Sequence, residues 1–186
     1  MKIDDEIFTK EEVPKRTYKK KFVRSQFVKE FWTMEEVKEF VESQPKNVVP
    51  YIIYNNYVSP KNPLTEFITV GFETVEDEIS LDCQIVNKVE GLETFVNGLE
   101  GKEILFVLET QLTGRVKSDK KFLVITKETK DKIKYVGKNF FDNKSFEMFE
   151  KFTLENPKLR IVGMFSRAMR SNKISPQLYF VIFQEV

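Results

Sequence analysis

"FVESQPKNVVPYIIY" (residues 40–54) returns in outline twice further along the chain, as "FVNGLEGKEILFVLE" (95–109) and "FTLENPKLRIVGMFS" (152–166). Each time a phenylalanine near the end of a helical pattern is followed by a short break and then a mostly apolar strand. The offsets between the phenylalanines are 55 and 57 residues. Self-similarity at such a period marks a chain assembled from like units.

The helical patterns lie just upstream. In "TMEEVKEFVESQ" (33–44), Thr33 and Glu36 form a capping box, and Met34, Val37 and Val41 form one stripe. In "VEGLETFVNGLEG" (89–101), Asn87 with Glu90 is the candidate cap, Leu92, Phe95, Val96 and Leu99 form the stripe, and Gly98 or Gly101 ends it. In "NKSFEMFEKFTLENP" (143–157), Phe146, Phe149 and Phe152 are expected to face inward, and Pro157 bars continuation.

A second strand follows each time: "TEFITVGFETV", "KKFLVITKE" and "PQLYFVIFQEV". A strand also precedes the second and third helices, in "EISLDCQIVN" (78–87) and "DKIKYVGKNF" (131–140). In the first of these, Ile79, Leu81, Cys83 and Ile85 alternate with Ser80, Asp82, Gln84 and Val86. By the same rule the first helix needs a strand before it, and "TYKKKFVRSQF" is the candidate. The expected fold is α+β, a mostly antiparallel sheet structure with three helices. It has three strand–helix–strand–strand repeats at 15–76, 77–130 and 131–186, preceded by an N-terminal extension, 1–14, in one compact body. The same strands admit an alternative, an OB-like barrel over 48–128 with a C-terminal α+β unit. "NNYVSPKNPL" (55–64), "TGRVKSDK" (113–120) and "SRAMRSNKISP" (166–176) read as hairpin loops at equivalent places in the repeat.

With 186 residues, 41% of them hydrophobic and 18 of them Phe, the chain can bury a core. One cysteine allows no internal disulfide and no thiolate zinc set, and the absence of histidine removes the commonest general base and metal ligand. No apolar run is long enough for a membrane helix, and the acidic start lacks a secretory pattern. These features read as a soluble, cytoplasmic protein with no membrane partner and no cofactor. Lysine outnumbers arginine 24 to 6, a usage typical of AT-rich genomes and their phages or mobile elements.

Net charge is only +1, so any electrostatic function rests on local asymmetry. Residues 15–29 hold seven bases and no acid, 73–109 ten acids against two bases, and 156–184 five bases and no acid. Alternation along 15–27 sets Lys19 and Lys21 against Lys20, Phe22 and Arg24. Those bases, with Arg16, suit phosphates, and Tyr18, Phe22 or Phe27 could stack on bases; a lysine-guarded edge strand reads equally well. Arg167, Arg170 and Lys173 suit phosphate or an acidic partner. The acidic run "ETVEDE" (73–78) lacks the spacing of a calcium loop. Asp119, Glu128 and Lys130 match a D…ExK nuclease pattern that chance also supplies in so lysine-rich a chain. Trp32 and Phe31 abut the first helix cap and read as a staple or core contact rather than a ligand platform.

The expected function is non-enzymatic nucleic-acid binding. Two alternatives stand beside it: an inhibitor of a host nucleic-acid enzyme, as anti-defence (anti-CRISPR-like) proteins are, and a structural or assembly protein. The expected partner is nucleic acid or a protein that processes it.

Overall fold

The structure, a computed structural model, describes residues 24–57, 66–109, 121–140, 145–168 and 177–186. The order strand–helix–strand–strand runs three times. The first unit holds β1 (Gln26–Phe31), α1 (Met34–Ser43), β2 (Val48–Tyr57) and β3 (Glu66–Thr74). The second holds β4 (Leu81–Asn87), α2 (Val89–Asn97), β5 (Lys102–Glu109) and β6 (Lys121–Glu128). The third holds β7 (Tyr135–Phe140), α3 (Ser145–Glu155), β8 (Leu159–Ala168) and β9 (Gln177–Glu185).

Each unit makes its own three-stranded antiparallel sheet, with its last strand in the middle: β1-β3-β2 (sheet 1), β4-β6-β5 (sheet 2) and β7-β9-β8 (sheet 3). The likeness extends to single residues. The register breaks at the same step of the second strand in all three sheets, between Pro50 and Ile52, Ile104 and Phe106, and Ile161 and Gly163. A bulge of this kind adds one residue, bends the strand and re-aims a side chain. The extra residue is Tyr51, Leu105 and Val162 in turn. Flanking backbone bonds repeat as well: Thr74 to Ser25, Glu128 to Ser80 and Glu185 to Lys134 at 2.9, 3.1 and 3.0 Å, each amide donating to the carbonyl.

The sheets stay separate, so the OB-like barrel is overturned: β2 and β3 pair with β1, not with the strands of sheet 2. The first strand begins at Gln26, at the end of the basic stretch that was expected to form it; of that stretch, residues before Arg24 lie outside those described. Its ladder partner is β3, with Gln26 opposite Glu73. β2 runs to Tyr57 and β8 to Ala168, so the connections to the next strand are shorter than the expected hairpins.

The helices follow from local chemistry. Thr33 Oγ1 accepts the Glu36 amide at 3.1 Å, and the Glu36 carboxylate accepts the Trp32 amide at 2.7 Å, a reciprocal cap. The cap expected from Asn87 and Glu90 is not used. Asn87 ends β4, so Lys88 alone carries the chain into α2, at φ 64° and without a side-chain cap bond. That conformation is strained for a residue with a Cβ.

Helices and sheets alternate in a stack. α1 lies between sheet 1 and β4, and α2 between sheet 2 and β7. Leu81, Cys83 and Ile85 of β4 face the α1 core, as the alternation predicts, with Leu123 and Ile125 beside them. Tyr135, Phe180 and Ile182 of sheet 3 face Leu92 and Val96 of α2 in the same way. The Tyr135 hydroxyl accepts the Ile104 amide at 2.9 Å across that junction. Among the described residues α3 packs chiefly on its own sheet, through Phe149 and Phe152 against Phe140, Val181 and Phe183. Phe146 does not join them inside: it is largely exposed.

Leu92 is fully buried where α2 meets both of its sheets. Leu92→Ala is therefore expected to cost about 2–5 kcal/mol, read as a lower urea midpoint with unchanged slope. Leu154→Ala, on the open side of α3, is expected to stay within about 0.5 kcal/mol.

Candidate interaction surface

Among the described residues, the large apolar side chains left exposed all belong to the first and third units, at the two ends of the stack. Their chemistry differs. At the sheet 1 end they are Phe27, Val28, Trp32, Tyr51 and Tyr54; at the α3 end they are mostly aliphatic, with Leu154, Ile161 and Met164 among them.

The outer face of sheet 1 is the side turned away from α1. In sheets 2 and 3 the equivalent side receives the preceding helix; among the described residues no helix comes before β1. Registers align Gln26, Val28 and Glu30 of β1 with Leu81, Cys83 and Ile85 of β4. Thr69 and Gly71 of β3 align with Leu123 and Ile125 of β6. An apolar docking face has thus become a mixed one. Tyr51, the bulge residue, and Tyr54 lie on it, 40% and 55% exposed. A Cβ on Gly71 would stand 2.8 Å from Tyr51 Cζ and 2.6 Å from Ile52 Cγ2. The missing side chain at Gly71 is what lets the Tyr51 ring lie across the sheet. Asn56 Nδ2 donates to Thr69 Oγ1 at 2.8 Å on the same side. Trp32 rests its edge near Phe67, ring centres 6.1 Å apart, and is 63% exposed. It is therefore not the core contact expected of it, whereas Phe31 is buried.

Of the expected site residues, Arg24 is described in full. It donates to the Glu73 carboxylate through Nε at 2.8 Å and also through Nη2. Gln26 Nε2 donates to the same oxygen at 3.4 Å. Arg24 thus fastens the start of β1 to the end of β3. Arg167 sits in β8 opposite Leu178, in sheet 3. α1, sheet 2 and α2 separate it from Arg24, so the structure does not bring these two together. Arg16, Lys19, Lys20, Lys21, Phe22, Arg170 and Lys173 lie outside the described residues.

A contact that sequence reading missed recurs in the two end units. Lys29 Nζ stands 3.9 Å from the centre of the Phe40 ring, and Lys138 Nζ 3.9 Å from that of Phe152. The lysines occupy equivalent strand positions and the rings equivalent helix positions. Such contacts contribute about 0.5–1 kcal/mol at exposed sites. The middle unit has Gln84 at that position, bonded to Asp82 at 2.7 Å. Burial works to raise the Asp82 carboxyl, but hydrogen bonds from Lys102 and Gln84 outweigh it, and it ends below its ordinary value.

Cys83 is fully buried, and burial pushes its thiol up to about 12, far from a reactive thiolate. Among the described residues no three acidic, histidine or cysteine side chains group as a metal site. Glu76, Asp77 and Glu78 are exposed on the connection from β3 to β4, and Asp119 lies outside the described residues. No protein-family model, no curated protein and no solved structure matches the chain.

The hydrogen bond from Arg24 holds the Glu73 carboxyl below its ordinary value, and Gln26 adds to it. A depressed native value stabilises the fold above the unfolded pKa, and that contribution fades as pH falls through the native one. In Arg24→Ala the Glu73 titration, followed by carboxyl carbon NMR, is expected to move up toward the ordinary glutamate value. An unmoved midpoint would show that the pair does not persist in solution.

Proposed function

We propose that the protein is a non-enzymatic nucleic-acid-binding protein whose contact surface is the outer face of sheet 1 with the basic stretch that leads into it. The observation that carries this reading is the Tyr51 ring laid over Gly71, beside the exposed Tyr54, on a sheet face that no element packs against among the described residues. Flat, exposed rings held in place on a sheet are the platform on which unpaired bases stack, and every base offers a π-face. Six bases and no acid between residues 15 and 27, in the sequence that leads into β1, supply the phosphate contacts of this reading. Tyrosine suits such a face because its ring can be covered while its hydroxyl stays wet. Because duplex bases are already stacked, the reading favours single strands over duplex.

Labelled single-stranded DNA, single-stranded RNA and duplex are titrated by fluorescence anisotropy at two salt concentrations. Single strands are expected to bind more tightly than duplex, with steep weakening by salt. Tyr51→Ala and Tyr54→Ala should each cost about 1–3 kcal/mol of affinity and leave the salt slope unchanged. Replacing Lys19, Lys20 and Lys21 by Glu should instead flatten that slope. No binding at low salt, or binding indifferent to both tyrosines, overturns the reading.

A further inference from the structure

The helix-on-sheet junction occurs twice inside the chain, and each end of the stack carries one unmatched half of a third. Met34 on α1 and Val89 on α2 correspond to Phe146 on α3. Met34, under sheet 2, is 3% exposed; Phe146, with no second sheet over it among the described residues, is 59% exposed. On the sheet side, Cys83 and Gly137 correspond to Val28. Cys83, under α1, is 0% exposed; Val28 is 64% exposed.

Two pairs fix how a third junction would register. Where α2 meets sheet 3, Asn97 brackets Gly137: its Oδ1 accepts the Gly137 amide at 2.8 Å and its Nδ2 donates to the Gly137 carbonyl at 3.4 Å. One turn earlier, Asn139 donates to the Glu93 carboxylate. The corresponding residues at the ends of the chain are Leu154 with Val28, and Glu150 with Glu30. The first pair replaces a polar contact by an apolar one on both sides at once, and Leu154 is 77% exposed. The second sets two carboxylates against each other.

We infer that α3 of one copy docks on the outer face of sheet 1 of a second copy, with Leu154 over Val28 and Glu150 across from Glu30. The contact continues the junction already made twice within the chain. It joins unlike surfaces, so it propagates as a row or closes as a ring, and the glutamate pair keeps it weak. It covers the face assigned above to nucleic acid, so the two occupants compete. The inference does not rest on the nucleic-acid reading, and its test omits nucleic acid.

The full chain is run in sedimentation velocity over a wide concentration range, with each variant's fold checked by circular dichroism. Glu30→Lys and Glu150→Lys should each tighten association several-fold, by turning a like-charged pair into an opposite one. The double variant should return to the wild-type level, because the pair is like-charged again. Leu154→Asp and Val28→Asp, both at exposed positions, should each abolish association with the fold intact. Three results overturn the inference: a monomer at every concentration in the wild type and both single charge reversals; charge effects that add in the double variant rather than cancel; or association that needs Leu154 but not Val28, which would mean that α3 pairs with itself.

Discussion

The burial of each inner helix between two sheets is the interaction on which the rest of the structure depends. Helices of this length are marginal alone in water, and a three-stranded sheet needs a covered face. Val37 on α1 and Leu92 and Val96 on α2 reach zero exposure because two sheets close on them from opposite sides. The stability of any unit is therefore largely the property of its junctions with neighbours, as in other repeat architectures. The end units each have one such junction and compensate with aromatic clusters. Phe27, Phe31, Phe40 and Phe72 touch one another in the first, and Phe140, Phe149, Phe152 and Phe183 in the third. The middle unit, flanked on both sides, has no such cluster of its own among the described residues. Its Phe122 instead meets Phe165 of the unit that follows.

Much of this architecture is legible in the sequence, because it is written in local chemistry. Thr33 and Glu36 mark a helix start by a contact that spans three residues, and Phe40, Phe95 and Phe152 set the phase of the repeat. The failures share one cause, which is distance along the chain. β1 belongs at Gln26–Phe31 because β3, with partners 37 to 47 residues later, sets its ladder. Trp32 and Phe146 look like core residues by type and spacing, yet among the described residues no neighbouring layer covers them. Lys29 over Phe40 and Lys138 over Phe152 join different elements, so neither pair shows as a motif, although their recurrence confirms the phase of the repeat.

The candidate surface was harder to find, since its signal is a contrast between units rather than a motif. Gly71 carries no message alone. Its meaning comes from Ile125 and Ile182, which fill the same place in the other sheets and lie in the cores under α1 and α2. Removing that side chain, together with the change from Leu105 to Tyr51 at the bulge, turns a socket for a helix into a shelf for a ring.

Such a shelf is an intermediate kind of surface, and that has consequences for how it can be occupied. Polar Gln26, Glu30 and Thr69 keep it wettable, so it needs no permanent cover. Val28, Tyr51 and Tyr54 still leave enough apolar area to reward one. Any two ligands that need the same shelf are linked: each lowers the apparent affinity of the other by mass action, with no change of conformation. A chain end that binds weakly and reversibly to its own kind would then hold the face in reserve. A nucleic-acid strand with a stronger hold would displace it, drawing on the basic stretch that α3 cannot engage to the same extent with its three glutamates.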